Sequence, residues 1–225
     1  MQRYNGFTII HKALRAMLYD SALTLQQTYF ADDKEAEVAL SKVEDVLFLF
    51  ENHAHHEDHF IFPLISAQEP ALVDAFESEH VTDLTLSDHL KNMINIFRNA
   101  NFTEEKIAAG SALTKSFVEF MVFNLQHMAK EEIRINQALW KYYGDEQLIE
   151  NNRRLIASIK PDEMAIASKW MMRAINYGDA ISWLSGVKAT APGFVFDSFM
   201  QLASREMKPE VFARVAAAFL EARVA

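Results

Sequence analysis

The sequence predicts an all-α protein, with an up-down-up-down four-helix bundle followed by a C-terminal subdomain of short helices. Three observations favour this class. The chain of 225 residues is half apolar but contains only six Gly and five Pro, which is unlike a turn-rich β protein. Apolar residues recur at intervals of three and four over long stretches, as in amphipathic helices. Seventeen Phe and ten Met indicate a bulky core.

The first two helices are predicted from periodicity and from the acidic break between them. The first covers about Phe7–Phe30. Asp32, followed three residues later by Glu35, is typical of a capping box that starts the second helix, which we expect to reach about Ile65. Pro63 should bend or end this helix, because proline has no amide proton and its ring clashes with the preceding turn.

The third and fourth helices are also long. The third is predicted over about Pro70–Arg98, with its proline in the first turn, where no amide proton is needed. Asn101–Glu105 indicates a turn and cap into the fourth helix, which should continue to about Tyr143, where Gly144 fits a C-terminal cap. Four long helices joined by short loops are typical of an up-down-up-down bundle.

Beyond residue 144 the predicted helices become short. Asp145 could cap a helix that runs to about Ile159. Helices of roughly 10 to 15 residues then follow, separated by Pro161, Asn176–Gly178, Ala191–Gly193 and Lys208–Pro209. We therefore predict two domains, residues 1–144 as the bundle and residues 145–225 as a helical subdomain of unknown role.

Composition excludes several classes of function. A net charge of −9 argues against nucleic acid or an anionic membrane as a partner. The absence of cysteine excludes disulfides, thiolate metal sites and cysteine catalysis, so any metal must be held by His, Asp or Glu. Residues 1–6 lack the basic start of a signal peptide, and no apolar stretch approaches the length of a membrane helix. We expect a cytoplasmic protein.

Two pairs of histidine and glutamate carry the clearest chemical signal. His53 precedes Glu57 by four residues, and His127 precedes Glu131 by four. Residues four apart share one face of a helix, so each pair points in one direction. Imidazole and carboxylate together suit a non-haem iron or zinc site.

Two further histidines, His11 and His80, match these pairs in depth. In an up-down-up-down bundle, the start of the first helix, the turn between the second and third, and the end of the fourth lie at one end. At 1.5 Å per residue all four histidine positions fall roughly 15 to 25 Å from that end. A lone histidine or one His-xxx-Glu pair is ordinary on an exposed helix. The full set favours a metal site, because imidazoles and carboxylates are costly to bury unsatisfied.

Helical phase sorts the remaining histidines. On the second helix, His56 lies within about 60° of His53 and should face inward. On the third helix, one histidine lies about 180° round from His80. We expect three histidines to meet solvent: His55, His59 and His89. The C-terminal subdomain has no histidine, so we expect no metal chemistry of its own there.

Four segments in this order resemble the hemerythrin-like (HHE cation-binding) family over about residues 7–143. They are Ile10–Arg15, His53–Glu57 followed by Phe62–Pro63, Glu79–His80, and His127–Glu132. The resemblance implies a non-haem di-iron centre inside a four-helix bundle, bridged by two carboxylates, with O₂ or a related small molecule as ligand. Zinc or manganese are possible substitutes for iron.

The resemblance also implies a division of the ligands between the two ions. His11 and His53 would serve one iron, and His80 and His127 would serve the other. Glu57 would be the first bridging carboxylate.

The second bridging carboxylate would be Glu131 or Glu132. Classical hemerythrins place it five residues after the histidine, which selects Glu132, whereas related domains with a spacing of four select Glu131. We favour Glu131, because a spacing of four keeps it on the face of His127.

The sequence departs from the family on the third helix. Hemerythrin has a second histidine four residues after the first, but the fourth residue after His80 is Leu84. The missing ligand could be replaced by His56, Asp83, Glu79 or water. Open coordination positions leave room for redox chemistry, which argues against simple reversible carriage of O₂.

We therefore expect a di-iron-binding protein that senses, binds or scavenges O₂, NO or peroxide, or that responds to iron. The alternatives are an oxidase or peroxidase-type enzyme, whose plan usually has Glu-xx-His motifs, and an interaction module with a vestigial metal site. The C-terminal helices could contact a protein partner, form a homodimer, or simply extend the core. Their exposed candidates are Trp170, Trp183 and Phe194.

Overall fold

The structure is a computed structural model that describes residues 3–221. The outermost residues of the two predicted domains, 1–2 and 222–225, lie outside the described range. Every regular element within that range is helical, which confirms the predicted all-α class. The bundle region contains α1 (Phe7–Gln27), α2 (Asp33–His56), a π-helical segment (Glu57–Ile61), α3 (Phe62–Ile65), α4 (Pro70–Asn99) and α5 (Thr103–Tyr142). The C-terminal region contains α6 (Asp145–Ser158), α7 (Pro161–Ala174), α8 (Tyr177–Thr190), α9 (Gly193–Glu206) and α10 (Pro209–Glu221).

The four long helices α1, α2, α4 and α5 pack as a bundle. Side-chain contacts show the relative direction of neighbours. His11 of α1 faces His53 of α2, while Asp20, further along α1, pairs with Lys42, earlier in α2, so the two helices run in opposite directions. Residues that pair between α2 with its π-helical extension and α4, and between α4 and α5, also occur in reverse order, so these neighbouring helices run in opposite directions as well. An up-down-up-down order requires this arrangement.

The apolar core of the bundle is divided along its length. One cluster includes Leu14, Phe50 and Phe117, and a second includes Phe62 and Phe76. Burying each such side chain contributes about 1.5–3 kcal/mol before entropic costs are counted. The helix positions between the two clusters carry the histidines of interest, so the core holds a polar layer between two apolar layers.

The second predicted helix is interrupted by the π-helical segment. The amide of Phe62 donates to the carbonyl oxygen of Glu57, five residues earlier. Pro63 follows directly, and its ring would clash with the preceding turn of a regular α-helix. Pro63 was expected to bend or end the helix. The structure shows instead that the irregularity precedes the proline and begins at Glu57, because a wider turn avoids that clash.

Of the capping box predicted for α2, the bonds from Asp32 form but the return bond from Glu35 does not. Asp32 Oδ1 accepts hydrogen bonds from the amides of Lys34 (2.9 Å) and Glu35 (3.2 Å). The carboxylate of Glu35, however, accepts from the amide of Tyr29 at 2.9 Å and so ties down the preceding turn.

The expectation that Gly144 caps the fourth helix is wrong. α5 ends at Tyr142, and Gly144 has φ −78°, which is not the left-handed conformation of a glycine cap. Gly144 instead precedes the first residue of α6, and its amide donates to Gln147 Oε1 at 2.9 Å. The connection is so short that the chain passes directly from one helix into the next.

Helix α7 packs against α1 and α2, and its Met172 joins residues of α8, α9 and α10 in a third apolar cluster. Ala167 and Trp170 belong to the main cluster of the bundle core. The expectation that Trp170 is exposed is therefore wrong, since the apolar face of α7 lies on the bundle. Trp183 is half-buried against Phe199, and Phe194 is exposed. Between residues 3 and 221, no helix is long and apolar enough to cross a membrane.

Candidate metal centre

Four histidines and two glutamates meet in the polar layer of the bundle. They form two overlapping groups, in each of which the potential ligand atoms lie within 4.8 Å of one another. The first group is His11, His53, Glu57 and Glu131, and the second is Glu57, His80, His127 and Glu131. The two glutamates belong to both groups, as two bridging carboxylates would.

The first group joins α1, α2, the π-helical segment and α5. His11 Nε2 lies 3.1 Å from His53 Nε2 and 3.6 Å from Glu131 Oε2. His53 Nε2 lies 3.1 Å from Glu57 Oε1. Nitrogen and oxygen atoms from four elements therefore point at one small volume.

The second group uses the other oxygen of each carboxylate. His127 Nε2 lies 3.0 Å from Glu131 Oε1, and His80 Nε2 lies 3.3 Å from Glu57 Oε2. Glu57 thus turns Oε1 to the first group and Oε2 to the second, and Glu131 divides its oxygens in the same way. This is the geometry expected of carboxylates that bridge two cations.

Burial shows that these residues fit metal ions. Glu131 and His11 are fully buried, and Glu57 is nearly so. Imidazole nitrogens face both oxygens of each glutamate at 3.0–3.6 Å, but among the described residues none of these oxygens, nor Nε2 of His80, makes a contact with hydrogen-bond geometry. Buried carboxylates without partners are costly, and two cations would satisfy all of these atoms. The imidazole and carboxylate donors suit iron, zinc or manganese.

The two glutamates influence each other's ionisation. Burial alone would raise the pKa of Glu57, but the charge of His53 and the other imidazoles holds that pKa well below its ordinary range. Burial and the negative charge of Glu57 together raise the pKa of Glu131. A cation between the two carboxylates would remove this repulsion.

Carboxylates also face the outer nitrogen of three of the histidines. The pairs are His11 Nδ1 with Glu132 Oε1 (3.0 Å), His80 Nδ1 with Asp58 Oδ1 (2.8 Å), and His127 Nδ1 with Glu79 Oε2 (2.8 Å). Such partners fix the orientation of the ring and make its other nitrogen a better metal ligand. Burial opposes protonation of His127, but the neighbouring carboxylates outweigh it and raise the pKa of His127 to about 9.

Glu132, the alternative bridging residue, lies outside both groups. Its carboxylate contacts His11 Nδ1 and also accepts a hydrogen bond from Arg15 Nη1 at 2.8 Å. The hydrogen bond to His11, together with Arg15, lowers the pKa of Glu132 to about 2. Glu131, four residues after His127, therefore reaches the site, whereas Glu132, five residues after it, points toward α1.

His56 is buried, as helical phase predicts, but it too lies outside both groups. Its Nε2 lies 2.8 Å from Glu163 Oε1, which belongs to α7. Sequence reasoning missed Glu163, because the C-terminal region has no histidine and no local pattern indicates a contact across 107 residues. Asp58 was missed as well, although its position next to Glu57 could have suggested a role.

The residues proposed to replace a second histidine on α4 have other partners. Leu84 is 50% exposed and points away from the site, whereas Asp83 is 5% exposed. Asp83 Oδ1 accepts a hydrogen bond from Asn124 Nδ2 at 2.6 Å, and Glu79 faces His127 Nδ1. Each group therefore contains two histidines and two carboxylates.

The three histidines that phase assigned to the surface are exposed, namely His55, His59 and His89. His89 Nε2 contacts Ser116 Oγ at 3.2 Å on the outside of the bundle.

Comparison with known proteins bears on both the fold and the site. The family model described as the Hemerythrin HHE cation binding domain matches residues 4–139. Zinc finger protein BRUTUS of Arabidopsis thaliana is 24% identical to the chain over 190 residues. The match covers 83% of this chain but only 14% of that much longer protein. No solved structure matches the chain.

Proposed function

The chain belongs to the hemerythrin HHE cation-binding family, and on that basis we propose that it binds two iron ions between the helices of its bundle. The ligands would be His11, His53, Glu57, His80, His127 and Glu131. The observation that carries the proposal is the division of the two oxygens of each buried glutamate between the two groups.

Bound iron would supply the capacity to bind O₂, NO or peroxide and to exchange electrons. The protein would supply two imidazoles and two carboxylate oxygens to each ion, which leaves coordination positions for a small ligand. The apolar clusters on both sides of the site would limit the access of water. We propose sensing or scavenging of these small molecules, or of iron itself, as the role.

A di-iron oxidase or peroxidase-type enzyme is the second candidate. The carboxylates at the outer nitrogens of three histidines favour it. They increase electron donation to a bound metal, which stabilises oxidised iron relative to reduced iron. Such a centre would react with O₂ or peroxide rather than release it unchanged.

The metal content and optical spectrum of the purified protein test the proposal. We expect about two irons per chain and near-ultraviolet and visible charge-transfer bands. The spectrum is recorded before and after anaerobic reduction and again on exposure to O₂. A spectral change that reverses when O₂ is removed would indicate reversible binding. An irreversible change would indicate an oxidase or peroxidase-type enzyme. Protein that binds no iron when iron is supplied would contradict both.

A further inference from the structure

The π-helical segment sets the position of two residues of the metal centre. It begins with Glu57, which both ligand groups share, and its second residue, Asp58, pairs with His80 Nδ1. A π turn widens the helix, so it changes the direction of the side chains that it carries. Whatever holds this turn in place therefore also holds Glu57.

Two helices from beyond the family-matched residues contact this segment and the residue that precedes it. Asn151 Nδ2 of α6 donates to the carbonyl oxygen of Phe60 at 2.9 Å. Glu163 Oε1 of α7 lies 2.8 Å from Nε2 of His56, the residue before Glu57. His56 is 8% exposed and Glu163 is 4% exposed, so this contact is closed to solvent.

A third contact joins the C-terminal helices to α1. Asp179, near the start of α8, pairs with Lys12, the neighbour of His11. The C-terminal helices thus touch the chain next to Glu57 and next to His11, two members of the first ligand group.

Apolar packing also holds the C-terminal helices on the bundle. The apolar face of α7, including Ala167 and Trp170, already packs into the core of the bundle. A buried pair such as His56 and Glu163 adds little net stability, since desolvation offsets the attraction. The pair is therefore of interest mainly because His56 precedes Glu57, which both ligand groups share.

We infer that Asn151 and Glu163 are positioning residues of the metal centre, which hold the π-helical segment so that Glu57 reaches both ions. This inference rests on the proposed function, because it assumes that the site binds metal. The coupling must be reciprocal, so metal binding should in turn stabilise α6 and α7 against local opening.

The test compares two variants with two matched controls on the same helices. Asn151→Ala and Glu163→Ala remove the contacts to the segment. Glu150→Ala on α6 removes an exposed ion pair with Arg153, and Arg173→Ala on α7 removes an ion pair with Glu206 and a cation–π contact with Trp170. Co(II) serves as the probe, because its affinity can be titrated and its visible spectrum reports the geometry of its ligands.

We expect Glu163→Ala and Asn151→Ala to weaken Co(II) binding about 10-fold, the lower end of the loss seen when a ligand's own outer partner is removed, and to alter the visible spectrum. Glu163→Gln retains hydrogen bonding to His56 and should recover most of the affinity. Both controls should match the original protein. Hydrogen exchange in α6 and α7 should slow on addition of Co(II).

Different results would contradict the positioning role and the proposed metal binding. Equal losses in the variants and the controls, or an unaltered spectrum in both variants, would show a purely structural role. If the original protein binds two metal ions and the variants bind them equally well, only this inference fails. If the original protein does not bind two metal ions, the proposed function fails and the inference fails with it.

Discussion

At the residue scale, Glu57 and Glu131 lie among imidazoles from four helical elements, yet among the described residues no contact of their oxygens has hydrogen-bond geometry. In a protein interior such carboxylates normally pair with donors. Their Nε2 neighbours are themselves directed at the same two volumes. The arrangement is explained if cations take the place of the missing donors.

Histidine variants test this explanation directly. His53→Ala and His127→Ala should each lose most of the bound iron, because each removes one of the two imidazoles in its group. His55→Ala and His89→Ala are the controls, since both side chains are exposed. Iron per chain, measured by elemental analysis, distinguishes the sets. Equal loss in all four variants would contradict the assignment.

Leu84 provides a second test at this scale. A histidine placed four residues after His80 would complete a classical pair if position 84 faced the site. Because Leu84 is half exposed, we expect Leu84→His to leave the iron content unchanged and to alter the free energy of unfolding by less than about 0.5 kcal/mol. A gain in iron affinity or a longer-lived O₂ adduct would show that α4 is turned differently.

At the scale of single elements, Gly110 of α5 allows a close approach of Phe30 in the bundle core. A Cβ atom at Gly110 of α5 would overlap the buried ring of Phe30. The ring of Phe30 is itself held against Phe97, with centroids 5.7 Å apart. Gly110 is therefore needed for space rather than for its backbone freedom.

Replacement of this glycine has a predictable sign. Gly110→Ala gains about 1 kcal/mol of helix propensity but must displace a buried ring, which typically costs about 1–3 kcal/mol. We expect a net loss of stability in denaturant unfolding. Gly186→Ala in α8 is the matched control, because nothing lies within 4 Å of its new Cβ, and it should be stabilising. Stabilisation by both replacements would mean that Phe30 moves freely.

At the scale of the whole molecule, the polar layer divides the apolar core, and the proposed metal binding would couple to folding there. Metal that binds only the folded protein stabilises it by about 2.7 kcal/mol when free metal exceeds the dissociation constant 100-fold. The residues of this layer are spread over the sequence of the bundle region, from His11 near its start to Glu131 near its end. Local unfolding of the π-helical segment or of α5 would disrupt both groups, because each carries a glutamate that the two groups share.

Removal of metal should therefore lower the unfolding midpoint of the whole bundle, as measured by circular dichroism with and without a chelator. Glu131→Gln separates the two contributions. It should abolish the effect of metal, yet change the free energy of unfolding of metal-free protein by less than about 1 kcal/mol, because it removes an unfavourable buried charge. A metal-independent midpoint in the original protein would contradict the coupling.

Much of the architecture could be predicted from local patterns. Long stretches of helical period predict the all-α class, which the structure confirms, and Asp32 caps α2 as predicted. Gly144 was misread because a glycine after a helix resembles a C-terminal cap, whereas the next helix begins immediately. Trp170 was misplaced because the sequence does not show that α7 lies on the bundle.

By itself, the sequence determined the class of the fold, the family resemblance and the inward phase of the histidines, because helical period and spacing are local properties of the chain. Only the tertiary structure decided which carboxylate meets which imidazole. It turns Glu131 into both ligand groups and Glu132 toward His11 and Arg15. It also gives His56 a partner on α7. These choices depend on packing between distant helices, which no local pattern records.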